Sequence, residues 1–224
     1  MNLEQMYGTL VTTMSSKNIF YDWEGVNTWL FQQIYSIRGD AYDWVMQVIS
    51  DLAMYRRFPY YLVLLGVYSL LSYLVMKLRN KGGSKQFLSM WLGIFTVLLV
   101  SFAINAELLG WIKDYFAYPR PYAVLDGVNV LDKSLNASAE ADRSFPSGHV
   151  AFITLMIMSL WPLLASRGRF VGLCLIAVVA WSRSALGAHF PADTLYGFIY
   201  AALLVVIVRE IVYGIYHKLL GLNC

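Results

Sequence analysis

The stretch from Ser182 to Asp193, S-R-S-A-L-G-A-H-F-P-A-D, sets an arginine, a histidine and an aspartate inside a run that is otherwise apolar. Ionisable side chains at membrane depth cost roughly 2.5–3.5 kcal/mol each, so they mark working sites turned away from lipid. Asp193 follows His189 at the spacing of one helical turn and is placed to accept from its imidazole. A carboxylate on one ring nitrogen fixes the tautomer and makes the other nitrogen a better nucleophile. Arg183 adds a fixed cation for an anionic substrate. The competing reading is a structural pair in which His189 and Asp193 only cap a helix.

Two upstream pieces could complete such a site. Lys113 to Pro121 reads K-D-Y-F-A-Y-P-R-P and holds two more cations, Lys113 and Arg120, in a loop stiffened by proline. Arginine offers a planar fork of donors suited to phosphate oxygens, and lysine acts as a point charge. The same two residues would equally serve as juxtamembrane charges meeting lipid headgroups. The second piece, Ser144-Phe145-Pro146-Ser147-Gly148-His149, reads as the opening of a helix with Pro146 in its first turn and Ser144 as its cap. The free amides of Ser147, Gly148 and His149 would then form an anion site at the positive end of the helix dipole. Gly148 lets a ligand approach the backbone, and His149 stands where it can donate a proton. The plain alternative is an ordinary Pro-Ser helix start with an incidental histidine. With three histidines in the chain, that alternative is the weaker one.

The elements that must hold these residues are membrane helices. Of 224 residues 58% are hydrophobic and only 14% charged, with a mean hydropathy of +0.55; a soluble domain would carry about 25% charged residues. The net charge of +3 is too small and too dispersed to argue for nucleic acid. Pro59 to Met76, Phe87 to Leu109, Pro146 to Ala165, Phe170 to Leu186 and Pro191 to Val208 are each roughly long enough to cross ~30 Å of hydrocarbon. Before them, Trp23 to Ile37 and Tyr42 to Leu52 carry apolar residues at helical spacing opposite Glu24, Asn27, Gln32 and Gln33. These read as amphipathic helices in the interface or packed on the bundle, with a short first span from Trp23 to Ile37 as the alternative. Met1 to Tyr21 reads as a loosely ordered arm. Residues 1–58 thus form an N-terminal arm with amphipathic helices, and residues 59–224 a single membrane bundle.

Basic residues set the expected orientation. Lys77, Arg79, Lys81 and Lys85 follow the first span, Arg167 and Arg169 join the third to the fourth, and Arg209 and Lys218 lie at the C-terminal end, against one acid, Glu210. The positive-inside rule makes these regions cytoplasmic, and puts the N-terminal arm, the loop from Gly110 to Phe145 and the turn at His189 on the opposite face. Residues 1–20 lack the features of a signal peptide, so insertion through the chain's own spans is expected. Cys174 in an apolar run and Cys224 at the end imply no disulfide framework. With no further His or Cys at hand and no clustered carboxylates, neither a metal nor another cofactor is expected.

In order along the chain the pieces read K-x6-R-P, P-S-G-H and S-R-x5-H-x3-D, spanning Lys113 to Asp193. This resembles the type 2 phosphatidic acid phosphatase (PAP2) superfamily, in its bacterial membrane lipid phosphatase branch. The resemblance implies an all-α membrane bundle of about five transmembrane helices preceded by interfacial helices. It implies that His189 is the nucleophile forming a phosphohistidine, that Asp193 orients it and that His149 protonates the leaving oxygen. Lys113, Arg120, Ser147, Gly148 and Arg183 would bind the phosphate oxygens, without metal.

The implied substrates are lipid phosphates or pyrophosphates: polyprenyl pyrophosphate, phosphatidylglycerol phosphate, phosphatidic acid or the phosphates of lipid A. The setting would be a bacterial inner membrane with the site facing the periplasm. Two alternatives stand beside hydrolysis. One is a phosphotransferase passing phosphate from undecaprenyl pyrophosphate to lipid A, whose branch the D-G-V-N-V-L and A-D-R-S-F-P stretches loosely resemble. The other is a non-catalytic lipid-binding or transport protein on the same fold. Glu107 is a candidate counter-charge for a site cation, and the loop from Tyr122 to Arg143 a candidate cover that selects the headgroup.

Overall fold

Proline and glycine punctuate the chain into helices in the computed structural model, which describes residues 19–79, 83–133 and 135–220. Among these residues the order is α1 (Ile19–Asp22), a 3-10 turn (Trp23–Gly25), α2 (Val26–Tyr35), α3 (Asp40–Leu52), a second 3-10 turn (Tyr55–Arg57) and α4 (Phe58–Leu78). There follow α5 (Ser84–Phe116), α6 (Pro121–Val124), α7 (Gly148–Ser159), a 3-10 turn (Trp161–Leu163), α8 (Ser166–Ala185) and α9 (Pro191–Leu220). The protein is all-α, as expected.

Among the described residues four helical segments are long and apolar enough to cross a membrane: Tyr55–Leu78, Ser84–Val124, Ser166–Ala185 and Pro191–Lys218. The chain is therefore a multi-pass membrane protein. The run expected as a third span, Pro146 to Ala165, is helical only over the 12 residues of α7, about 18 Å at 1.5 Å per residue. Pro146 lies before the helix, and Pro162 falls in the 3-10 turn after it. A helix apolar on every side belongs in a core, and α7 sits there, with Val150, Ala151, Phe152 and Leu155 wholly buried among α5, α8 and α9. Since lipid is as apolar as leucine, close packing and not water exclusion holds such helices together.

At 33 residues α5 is about 50 Å long, more than the ~30 Å hydrocarbon thickness, and Lys113 lies in its last turn. It stops at Ala117, which adopts a left-handed conformation (φ 47°) just before Pro119 and Pro121. The peripheral α4 buries only Phe58, whose ring stacks on Phe102 of α5 at 3.6 Å.

The amphipathic stretches pack on the bundle. Both α2 and α3 lie against α8, burying Asn27, Phe31 and Ile34 from one, Met46 and Ser50 from the other. With 10 residues, α2 reaches about 15 Å, which rules out a first span from Trp23 to Ile37. Of the arm expected to be loosely ordered, residues 1–18 lie outside the described residues, but Tyr21 belongs to α1 and reaches the interior, as described below.

Candidate active site

A tight reversal between α8 and α9 brings Arg183, His189 and Asp193 together. Gly187 takes a left-handed conformation (φ 72°) just past the end of α8, where such residues end helices. The amides of Ala188 and His189 then both donate to the Arg183 carbonyl, at 3.0 and 3.3 Å. A Cβ on Gly187 would also stand 2.7 Å from the Asn129 carbonyl oxygen, so the turn and the loop between α6 and α7 fit only around glycine. Pro191 starts α9, and Asp193 falls in its first turn.

His189 and Asp193 are both buried, with Nδ1 of the ring 3.4 Å from Oδ2 of the carboxylate. Nη1 of Arg120 donates to Nε2 of His189 at 3.1 Å. A guanidinium has no lone pair to offer, so Nε2 carries the lone pair and Nδ1 carries the hydrogen facing Asp193. Burial, followed by the positive charges of Arg120, Arg183 and Lys113, pushes the His189 pKa well below its ordinary value. The ring stands neutral, with the nitrogen remote from Asp193 nucleophilic. Oδ2 of Asp193 also accepts from the Ser144 hydroxyl at 2.5 Å and from the Phe190 amide at 2.9 Å. Oδ1 accepts from the Tyr21 hydroxyl at 2.7 Å. These donors supply the buried carboxylate oxygens with hydrogen bonds.

Arg120 is almost wholly buried and uses every N–H of its fork. Nε donates to the Glu140 carbonyl (2.8 Å), Nη1 to the Ala188 carbonyl (2.9 Å) as well as to His189, and Nη2 to the Glu140 carboxylate (2.8 Å) and the Arg143 carbonyl (3.1 Å). Nζ of Lys113 donates to the Arg143 carbonyl at 2.8 Å. Arg183 pairs through Nη2 with Asp132 at 2.6 Å, both side chains buried, and donates through Nη1 to Ser50 Oγ of α3. Breaking a buried pair of this kind costs about 3–5 kcal/mol. The counter-charges are thus Asp132 and Glu140, of the loop between α6 and α7. Glu107, expected in that role, is exposed.

The third piece differs in detail from its sequence reading. Helix α7 begins at Gly148 with Ser147 as its N-cap residue, and no side chain caps it; Ser144 serves Asp193 instead. The Ser147 amide donates to the Asp193 carbonyl at 2.9 Å, so it is not available to an anion. The amides of Gly148 and His149, in the first turn, have no intrahelical acceptor and remain to serve that role. The buried polar atoms with no hydrogen-bond partner among the described residues include three of the predicted set: Ser147 Oγ, His149 Nε2 and Arg183 Nε. Unsatisfied buried polar groups are rare and call for an explanation; here an anion with several acceptor oxygens would satisfy them.

Sequence reasoning missed four contributors: Tyr21, Asp132, Glu140 and Gly197. A Cβ on Gly197 of α9 would lie 2.7 Å from the Ser147 carbonyl oxygen, so only glycine lets the α7 start approach α9 this closely. Alternation and helical period give no sign of such contacts; a glycine inside an apolar helix was the one available signal. Among the described residues no three His, Cys, Asp or Glu side chains converge as metal ligands would.

The model of the PAP2 superfamily matches residues 91–216. No curated protein matches the chain. Among solved structures, the crystal structure of Aquifex aeolicus LpxE superposes with a TM-score of 0.53 at 19% identity, covering 83% of this chain and 95% of its own. A transmembrane PAP2-type phosphatidylglycerolphosphate phosphatase from Bacillus subtilis superposes with a TM-score of 0.57 at 18% identity, covering 92% of this chain and 94% of its own. At these identities the two similarities are of fold.

Proposed function

Because the chain belongs to the PAP2 superfamily, we propose that it is a membrane lipid phosphatase that removes a terminal phosphate or pyrophosphate group through a phosphohistidine. The observation that carries this reading is the cluster of buried, unpartnered polar atoms on Ser147, His149 and Arg183 beside a neutral imidazole oriented by Asp193. A phosphoryl group offers several acceptor oxygens, and its transfer is catalysed chiefly by positioning and charge stabilisation.

In the first step the Nε2 lone pair of His189 attacks phosphorus. The bond to the leaving oxygen breaks, and that oxygen takes a proton from His149, whose pKa burial and then the Arg183 charge lower, so that the ring takes up this proton as the phosphate dianion binds. The ring, now substituted at Nε2 and protonated at Nδ1, is a cation that the Asp193 carboxylate stabilises. In the second step His149 accepts a proton from water, whose oxygen attacks phosphorus and returns the electron pair to Nε2, releasing inorganic phosphate. Arg183, Lys113, Arg120, Ser147 and the Gly148 and His149 amides hold the equatorial oxygens throughout. No metal takes part, and activity is expected to persist in chelator.

The substrate's tail would stay in the membrane. A groove of about 230 Å³ lined by Ile112, Phe116, Phe145, Pro146 and Ile199, among others, runs beside the start of α7; its apolar walls suit a hydrocarbon chain. The basic loops favour an outer-facing site, periplasmic in a bacterial inner membrane. The candidate headgroups are polyprenyl pyrophosphate, phosphatidylglycerol phosphate, phosphatidic acid and lipid A phosphates.

The deciding experiment is release of inorganic phosphate by the purified protein across a panel of these lipids, alongside His189→Ala. Release without any acceptor lipid, lost by about 10³-fold or more in the variant, is expected. Turnover only when a second lipid is supplied would make the protein a phosphotransferase, and no turnover on any member would leave it a binding protein.

A further inference from the structure

We propose that Tyr21, near the N-terminus, is a positioning residue for catalysis, its hydroxyl holding the Asp193 carboxylate that orients His189. The inference rests on the roles proposed for His189 and Asp193. Asp193 is completely buried, and its two oxygens are served differently. Oδ2 collects the Ser144 hydroxyl, the Phe190 amide and the edge of His189, all from segments adjoining the site. The side-chain donor to Oδ1 comes from 172 residues away, where the Tyr21 hydroxyl donates at 2.7 Å. Without that donor one oxygen of the buried carboxylate would lose this hydrogen bond, and the group would be freer to rotate about its last bond.

Tyr21 is held as firmly as a positioning residue requires. Its ring lies 4.5 Å from that of Tyr118, 5.9 Å from Phe145 and 6.5 Å from Phe190, a wall formed from all three site pieces. The chain on either side is tied to α9, by backbone before it and by a side chain after it: the Tyr196 hydroxyl donates to the Phe20 carbonyl at 2.7 Å, and the Ala192 amide donates to Oδ1 of buried Asn27 at 2.9 Å. The second contact satisfies one of the orphan amides at the start of the helix that carries Asp193. Burial, then the neighbouring Asp193 charge, raises the Tyr21 pKa well above its ordinary value. The phenol therefore keeps the proton it donates. Tyr21 has no part in holding phosphate, so its effect should fall on the chemical step.

Tyr21→Phe tests this, because it removes one oxygen and keeps the ring contacts. Measured as phosphate release from phosphatidic acid or phosphatidylglycerol phosphate micelles, whichever the wild type turns over, kcat is expected to fall about ten- to a hundred-fold with KM within about two-fold. In an Asp193→Asn background the same substitution should change kcat by less than about two-fold, since the carboxylate it holds is gone. Unchanged kcat in Tyr21→Phe would overturn the inference. So would a loss of kcat accompanied by a lowered unfolding temperature and raised KM, or a full loss persisting in the Asp193→Asn background. His189→Ala, run in parallel, separates the two levels. If it keeps wild-type turnover the nucleophile is wrong; if it is inactive while Tyr21→Phe is not, only the role of Tyr21 falls.

Discussion

Nη1 of Arg120 donates to Nε2 of His189 at 3.1 Å, so the nitrogen proposed to attack phosphorus is the one a cation already holds. The contact fixes the tautomer and marks where negative oxygen belongs. An incoming phosphate oxygen would take over the Nη1 hydrogen and free the lone pair, coupling substrate arrival to exposure of the nucleophile.

Arg120→Lys follows from that geometry. The guanidinium spreads five N–H groups over Glu140, Ala188, His189 and Arg143, and a lysine has three donors at one point. The variant is expected to lose about 10²-fold or more in kcat/KM. Steady-state phosphate release checks it, and wild-type kinetics would show that charge alone suffices at this position.

Nη2 of Arg120 donates to the Glu140 carboxylate at 2.8 Å, so in the proposed site Glu140 would compete with phosphate for that donor. Its side chain is 41% exposed, so the pair contributes only about 0.2–1 kcal/mol. Glu140→Ala is expected to lower KM, and the inhibition constant of inorganic phosphate, by about two- to five-fold with little change in kcat. An increase in either constant would mean that Glu140 chiefly props Arg120 in place.

Gly197→Ala puts a methyl group 2.7 Å from the Ser147 carbonyl oxygen, and backbone cannot swing aside as a flexible side chain would. The start of α7 must shift and carry His149 with it. Misplacement on this scale costs about 10²-fold in rate. A fall in kcat near that size is expected; Gly214→Ala on the same helix, where the added Cβ meets nothing within 4 Å, should be close to wild type.

The lowered pKa of His189 has two consequences with definite sign. Attack needs the neutral ring, so the acid limb of the pH profile of kcat/KM attributable to His189 should fall below the ordinary histidine value of about 6.5. Between that value and the lowered one, the unfolded chain binds a proton that the folded chain does not. Stability therefore falls as pH drops through this window, and is regained as pH rises above about 6.5. Unfolding temperatures against pH, with His189→Gln as reference, measure the second effect.

Much of this protein could be read from one dimension. Apolar runs gave the long helices, because lipid selects composition along a continuous segment, and the three pieces from Lys113 to Asp193 gave the cations and histidines, because their spacing is local. The tertiary structure decided the rest. It shortened the expected third span to α7, since Pro146 and Pro162 bound the helix, and it assigned the Ser147 amide to Asp193 in place of an anion. It also chose Asp132 and Glu140 as counter-charges and Tyr21 as the far donor to Asp193. Any acid in the loop between α6 and α7, or any hydroxyl in the N-terminal segment, looks equivalent in sequence. A hydrogen bond reaching across 172 residues depends on how helices pack, and no local pattern records that.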